Sequence, residues 1–283
     1  MESDENKENE RKIAIMEEDI AITKNMAQIK HKIAVMSGKG GVGKSTVSVN
    51  LAVAFNQKGY HTGILDADFH GPNVPLMLGV EGKHLDADER GILPVLTKEN
   101  IKVMSVAFLL PSKDSPVIWR GPKKTGALRQ FLGHVAWDEL DLLIVDNPPG
   151  TGDEPLTVLQ SIPFLDGIVI VTTPSPVALE DVEKCVSMAK SLNIPVIGII
   201  ENMAGFVCPK CGEESFIFGS GGGERIATKM EIPFLGKLPI DLGNVSDSDE
   251  DMHIITQNNN SLFSQRIMEI VDKIEEHIKK RSD

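Results

Sequence analysis

Short apolar runs alternate with longer segments of helical period along most of this chain. The runs at 33–36, 63–65, 101–107, 142–145, 168–172, 196–200 and 234–238 are rich in Ile, Val and Leu. Such nearly continuous apolar character indicates strands buried on both faces, as in a parallel sheet covered by helices. Helices are predicted at 42–58, 125–137 and 177–192, with another beginning near Gly223. At 261–280, Ile267, Ile270, Val271, Ile274 and Ile278 recur at helical spacing, which predicts a terminal amphipathic helix packed on the body. Glu269, Asp272, Glu275 and Glu276 make that helix too acidic to lie on a membrane. The pattern predicts an α/β fold with a doubly wound, mainly parallel sheet.

Two stretches depart from this rhythm. Residues 1–31 are charged and polar, and 1–30 lack Gly and Pro, so they read as an N-terminal tail leading into a short helix at about 16–30. The folded domain is then 32–283. The second departure is 204–222, which holds two cysteines and a Gly-Ser-Gly-Gly-Gly run between a strand and a helix. A connection of this length without its own periodicity is usually functional or disordered. It leaves the carboxyl end of a strand, where open α/β sheets bind ligands.

Composition narrows the function. Of 283 residues, 29 are Lys or Arg and 41 are Asp or Glu, a formal charge of −12. That balance disfavours binding to nucleic acid or to an anionic membrane, because both need clustered cations. Three cysteines do not make a disulfide framework and suit a reducing compartment. The first apolar run, at 13–16, is too short for a signal-peptide core, and no stretch reaches the length of a membrane span. A cytoplasmic protein is expected.

The chemistry begins at Gly38-Lys39-Gly40-Gly41-Val42-Gly43-Lys44-Ser45, which fits G-x-x-x-x-G-K-[ST] between an apolar strand and a helix. Glycines let successive backbone N–H groups surround phosphate oxygens, and the following helix presents its positive end. Lys44 would meet the β- and γ-phosphates, and the Ser45 hydroxyl would meet Mg²⁺. Two strands end in acids that fit the same site. Asp146 closes Leu142-Leu-Ile-Val-Asp146 in the manner of a Walker B Asp holding Mg²⁺ through water. Gly63-Ile-Leu-Asp66-Ala-Asp68 ends in two acids, of which Asp68 is assigned to orient or deprotonate the attacking water. A dinucleotide-binding reading fails because the glycine spacing is wrong.

With its early Lys39, the loop resembles the deviant Walker A motif of the ATPases that include nitrogenase iron protein, MinD and ParA. That resemblance implies a P-loop NTPase fold of the SIMIBI type and ATP-coupled dimerisation, with Lys39 acting in trans on the partner's nucleotide. The match sharpens at Asp66-Ala-Asp68-Phe-His70-Gly71-Pro72-Asn73, Asp146-Asn-Pro-Pro-Gly-Thr-Gly-Asp153, Glu201-Asn202-Met203 and Cys208-Pro-Lys-Cys211-Gly212. In this order these segments resemble the Mrp/ApbC group of iron-sulfur cluster carriers from about Lys32 to the C-terminus. The likeness implies that Gly38, Lys39, Gly40, Gly41, Val42, Gly43, Lys44, Ser45 and Thr46 bind Mg-ATP, with Lys39, Lys44, Asp68 and Asp146 catalytic. It also implies that Asn202 hydrogen-bonds the adenine, as does the Leu238-Pro239-Ile240-Asp241 turn.

Cys208 and Cys211 form a C-x-x-C knuckle, half of a tetrahedral metal site. Cys185 sits among Val182, Val186 and Ala189 at helical spacing and reads as core; His70, His134 and His253 could complete the set only through space. A symmetric dimer would supply four thiolates across its axis. By likeness to the carriers, those would hold a bridging 4Fe-4S cluster for transfer to iron-sulfur apoproteins. A shared zinc, a redox dithiol and a structural turn are the other readings of the pair. The rival function is a ParA- or MinD-like partition or positioning ATPase with a structural zinc at the dimer interface. Residues 1–31 carry no cysteine, so no second cluster site is expected.

Overall fold

The computed structural model describes residues 2–110, 119, 121–208, 210–240 and 261–280. The strands are β1 (His31–Met36), β2 (Thr62–Asp66), β3 (Asp86–Asp88), β4 (Gly91–Leu93), β5 (Val95–Leu96), β6 (Lys102–Ser105), β7 (Leu142–Asp146), β8 (Gly167–Thr172), β9 (Val196–Glu201), β10 (Phe206–Val207), β11 (Glu214–Ser215) and β12 (Phe234–Lys237). The helices are α1 (Glu2–Met26), α2 (Lys44–Gln57), α3 (Val74–Met77), α4 (Gly121–His134), α5 (Asp153–Ser161), α6 (Pro176–Ser191), α7 (Gly222–Met230) and a last one, α8 (Leu262–Lys279). One central sheet runs β12-β9-β8-β1-β7-β2-β6-β5, parallel throughout except for β5 at its edge.

Alternation along the strands divides the core into two layers. Ile33 and Val35 of β1, with Leu142 and Ile144 of β7, pack against α2 and α8 through Val47, Leu51, Ile267 and Ile274. Ala34 and Met36, with Leu143 and Val145, face α1, α4, α5, α6 and α7. Both faces of these central strands are therefore dry, which is why they read as unbroken apolar runs. The order reverses beside β1, and the loops after β1, β2, β7 and β9 meet at the carboxyl edge of the sheet.

The N-terminal segment differs from the expected tail and short helix. It forms a 25-residue helix that ends at Met26, four residues before the expected end. With no Gly or Pro to break it, the helix continues toward the N-terminus, while Ile22 and Met26 bury against α4. Asn25 Nδ2 donates to the carbonyls of Leu132 and Val135, at 2.7 and 2.9 Å. Lys32 fixes the helix end: its buried ammonium donates to the carbonyls of Ile29 and Met26, at 2.6 and 3.2 Å. A cation there complements the negative end of the helix dipole. The pattern also did not predict α5, the β3–β4 hairpin or β5, all short elements.

Candidate nucleotide and metal site

The loop between β1 and α2 is shaped by glycine. Gly41 and Gly43 have φ of 78° and 82°, the left-handed region that side chains with a Cβ avoid. A Cβ on Gly43 would also lie 2.2 Å from Asn202 Nδ2 and would push that side chain aside. Ser37 Oγ donates to the Lys39 carbonyl at 2.9 Å and holds the start of the loop. Lys39 is half-buried, whereas Gly40 and Gly41 are exposed. Asn202 Nδ2 donates to the Val42 carbonyl at 2.9 Å, so the residue assigned to adenine lies directly on the loop.

Lys44, Ser45 and Asp146 converge below the loop. The Lys44 ammonium, 6% exposed, is 2.8 Å from Asp146 Oδ1. Ser45 Oγ donates to Asp146 Oδ2 at 2.6 Å, and Ser48 Oγ, one turn further along α2, donates to Oδ1 at 2.6 Å. Register pairs Asp66 with Asp146 on adjacent strands. Asp66 is buried and receives Ser105 Oγ at 3.1 Å and the Asp68 N–H at 3.1 Å. Burial pushes its carboxyl well above the usual range, and the neighbouring Asp146 charge adds to the shift, partly opposed by Lys44. Two facing carboxylates with a hydroxyl beside them are a hard-oxygen donor set short of positive charge, which fits Mg²⁺.

Asp68 stands on the turn after β2, half-buried, with Oδ1 receiving the N–H groups of His70 and Gly71 at 3.2 and 3.3 Å. Lys124 joins this turn to the start of α5. Its nearly buried ammonium lies 2.7 Å from His70 Nε2 and 2.6 Å from Glu154 Oε1. The two acid-bearing loops are thus tied to each other as well as to the phosphate loop.

The cysteine pair lies on a small hairpin, β10 and β11, that projects after β9. The Cys208 N–H donates to the Glu213 carbonyl at 3.0 Å, and the Gly212 N–H donates to the Cys208 carbonyl at 2.8 Å, closing the knuckle. Gly212, with φ of 74°, makes the turn. The backbone N–H groups of Cys211 and Lys210, and then the Cys211 side chain, hold the Cys208 thiol below its ordinary range. A thiol so placed is readily converted to the thiolate that soft metals bind. Cys211 is exposed. Cys185 is buried in α6, its thiol pushed up to about 12 by desolvation, and stays out of the site.

His70 and His134 pair with Glu154 and Glu18. Among the described residues no group of three or more His, Cys, Asp and Glu side chains is placed to hold a metal ion. Asp241 and His253 lie outside the described residues.

Comparison with known proteins settles the family. The family described as NUBPL iron-transfer P-loop NTPase, of the ParA group, matches residues 28–275. The chain belongs to this family. It is 54% identical over 263 residues to an iron-sulfur cluster carrier protein of Methanocaldococcus jannaschii, covering 92% of this chain and 91% of that one. A solved nucleotide-binding protein from Archaeoglobus fulgidus, in complex with ADP and with Co found, superposes with a TM-score of 0.73 at 45% identity, over 83% of this chain and 92% of that one. The cell division ATPase MinD of Pyrococcus furiosus superposes with a TM-score of 0.65 at 20% identity, over 88% of this chain and 99% of that one, a likeness of fold alone.

In this member of the family, three residues of the site are not legible from the sequence in these roles. Asp66 was seen only as a strand-end acid; its pairing with Asp146 needs the strand register. Ser48 follows Lys44 by one helical turn, a spacing that could have flagged it. Glu201 is fully buried, and its carboxylate accepts the Gly221 N–H at 2.8 Å and also that of Gly223. Pro239, assigned to the adenine turn, is buried at the end of β12.

Proposed function

We propose that the chain works as an ATP-hydrolysing homodimer in the cytoplasm that carries a labile 4Fe-4S cluster and delivers it to iron-sulfur apoproteins. The observation that carries this reading is a two-thiol knuckle rooted on the same sheet edge as a complete set of phosphate-loop side chains. Two sulfurs satisfy half of a cluster's ligand demand, so the cargo sits between Cys208 and Cys211 of one subunit and the same pair of a second. The lowered Cys208 thiol favours the ligating thiolate.

ATP would enter against the backbone of Gly38–Thr46 in place of the present internal pairing. Lys44 then exchanges its bond to Asp146 for the β- and γ-phosphate oxygens. Ser45 would hold Mg²⁺ directly and Asp146 would hold it through water; the ion neutralises phosphate charge. Asp68 orients a water whose oxygen attacks the γ-phosphorus as the bond to the bridging oxygen breaks, leaving ADP and phosphate. Lys39 of one subunit reaches the partner's nucleotide and offsets the charge that develops there, much as an arginine finger does. Hydrolysis shifts the dimer between two arrangements and changes the surroundings of the cargo.

The test replaces Cys208 and Cys211 separately with Ala. Iron bound per dimer and transfer to an apoprotein are expected to fall to background while ATP turnover persists. Iron transfer that survives both substitutions contradicts the reading.

A further inference from the structure

The turn after β9 holds both feet of the thiol-bearing insertion. Strand alternation sends the side chains of Glu201 and Asn202 to opposite faces of the sheet. On one face the Asn202 amide donates to the Val42 carbonyl of the phosphate loop at 2.9 Å. On the other, the buried Glu201 carboxylate accepts the N–H of Gly221 at 2.8 Å and that of Gly223. Those two residues open α7, where the insertion returns to the body.

The outgoing foot is fixed by the backbone. Met203 takes a left-handed φ of 57°, the Ala204 N–H donates to the Leu238 carbonyl at 3.0 Å, and the Ile240 N–H donates to the Gly205 carbonyl at 2.7 Å. Both ends of this link are closely packed. A Cβ at Gly43 would sit 2.2 Å from Asn202 Nδ2, and a Cβ at Gly223 would sit 3.0 Å from the Glu201 Cβ.

We propose that Glu201 is a positioning residue that passes the occupancy of the nucleotide site to the Cys208–Cys211 knuckle. This rests on the reading of Asn202 as an adenine contact. A purine edge that engages the Asn202 amide, through its second N–H or its oxygen, re-aims the side chain that donates to Val42 and so displaces the end of β9. Glu201, the adjacent residue on that strand end, carries the displacement to Gly221 and Gly223, so the returning foot moves with the outgoing one. A carboxylate suits the task because it accepts two N–H groups at once and faces the positive end of a helix. A glutamine accepts through one oxygen only and sets an NH2 group against the second backbone N–H.

The experiment measures the rate at which iodoacetamide alkylates Cys208 and Cys211 in the reduced, metal-free full-length chain, by peptide mass spectrometry, with and without saturating ADP. Cys185, buried in α6, serves as the silent internal control. In the wild type, ADP is expected to change the knuckle rate by about fivefold or more, the lower end of ordinary coupling between sites. Glu201→Gln is expected to bind ADP within about fivefold of the wild-type Kd, the size of the coupling itself, yet lose that response. Gly223→Ala, which crowds the same link from the other side, is expected to behave likewise and stands in if the glutamine variant does not fold. An ADP response that persists in the variants, or its absence from the wild type, overturns the proposal. A chain that keeps the response but never loads iron refutes the carrier reading and leaves this coupling standing.

Discussion

At the scale of single residues, the site is a set of buried charges that balance only in part. Lys44 lies 2.8 Å from Asp146 Oδ1, and the Asp66 carboxyl beside them is raised first by burial and then by the Asp146 charge. Ser48 aims Asp146 by donating to the oxygen that also meets Lys44. Ser48→Ala removes a buried hydrogen bond to a charged acceptor and is expected to lower stability by about 2 kcal/mol, read from denaturant titration. Lys39 is different, because it is half-buried at the loop and its assigned partner belongs to another subunit. Lys39→Ala is expected to leave ATP affinity within about threefold while slowing turnover by about a thousandfold, the scale of a missing trans cation. Equal losses in affinity and turnover would place Lys39 on its own nucleotide instead.

At the scale of elements, α8 is held to α2 by more than its apolar stripe. Lys58 pairs with Glu275 and lies 2.5 Å from Asp272, while Tyr60 Oη donates to Glu275 Oε1 at 2.7 Å. Lys279, Lys58 and Tyr60 together hold the Glu275 carboxyl down to about 2, against an ordinary value of 4.5. A depressed carboxyl stabilises the fold fully above its unfolded value and loses that contribution as pH falls toward its folded value. Glu275→Gln is therefore expected to cost about 1 kcal/mol at neutral pH, with the gap to wild type closing between pH 4.5 and about 2. A gap that is constant with pH would mean that the charge is not involved. Elements of this kind were legible in the sequence where burial is two-sided and long: β1, β7, β8 and α8 stand where the apolar pattern puts them. The nine residues of α5 follow a Pro-Pro-Gly-Thr-Gly run and include Pro155, so local chemistry masks a helix that packing against the sheet stabilises. The full reach of α1 was hidden because most of its residues are polar, and its docking on α4 rests on its C-terminal part, through Ile22, Asn25 and Met26 and the pairs Glu18–His134 and Asp19–Arg129.

At the scale of the whole molecule, a doubly wound sheet brings the phosphate loop, two acid-bearing turns and the root of a thiol knuckle to one edge. The phosphate-loop motif and the C-x-x-C spacing were visible as linear patterns. The pairing of Asp66 with Asp146 and the Glu201 link were not, because they depend on which strands are neighbours and on where α7 begins. The central claim is that two chains share one cluster through four cysteine sulfurs. Native mass spectrometry of the anaerobically reconstituted protein tests it most directly. The claim predicts a species of two chains plus one 4Fe-4S unit, about two iron atoms per chain, which vanishes in the Cys208→Ala, Cys211→Ala double variant. A single chain that carries its own metal, or a dimer that takes up zinc and never iron and sulfide, would contradict it.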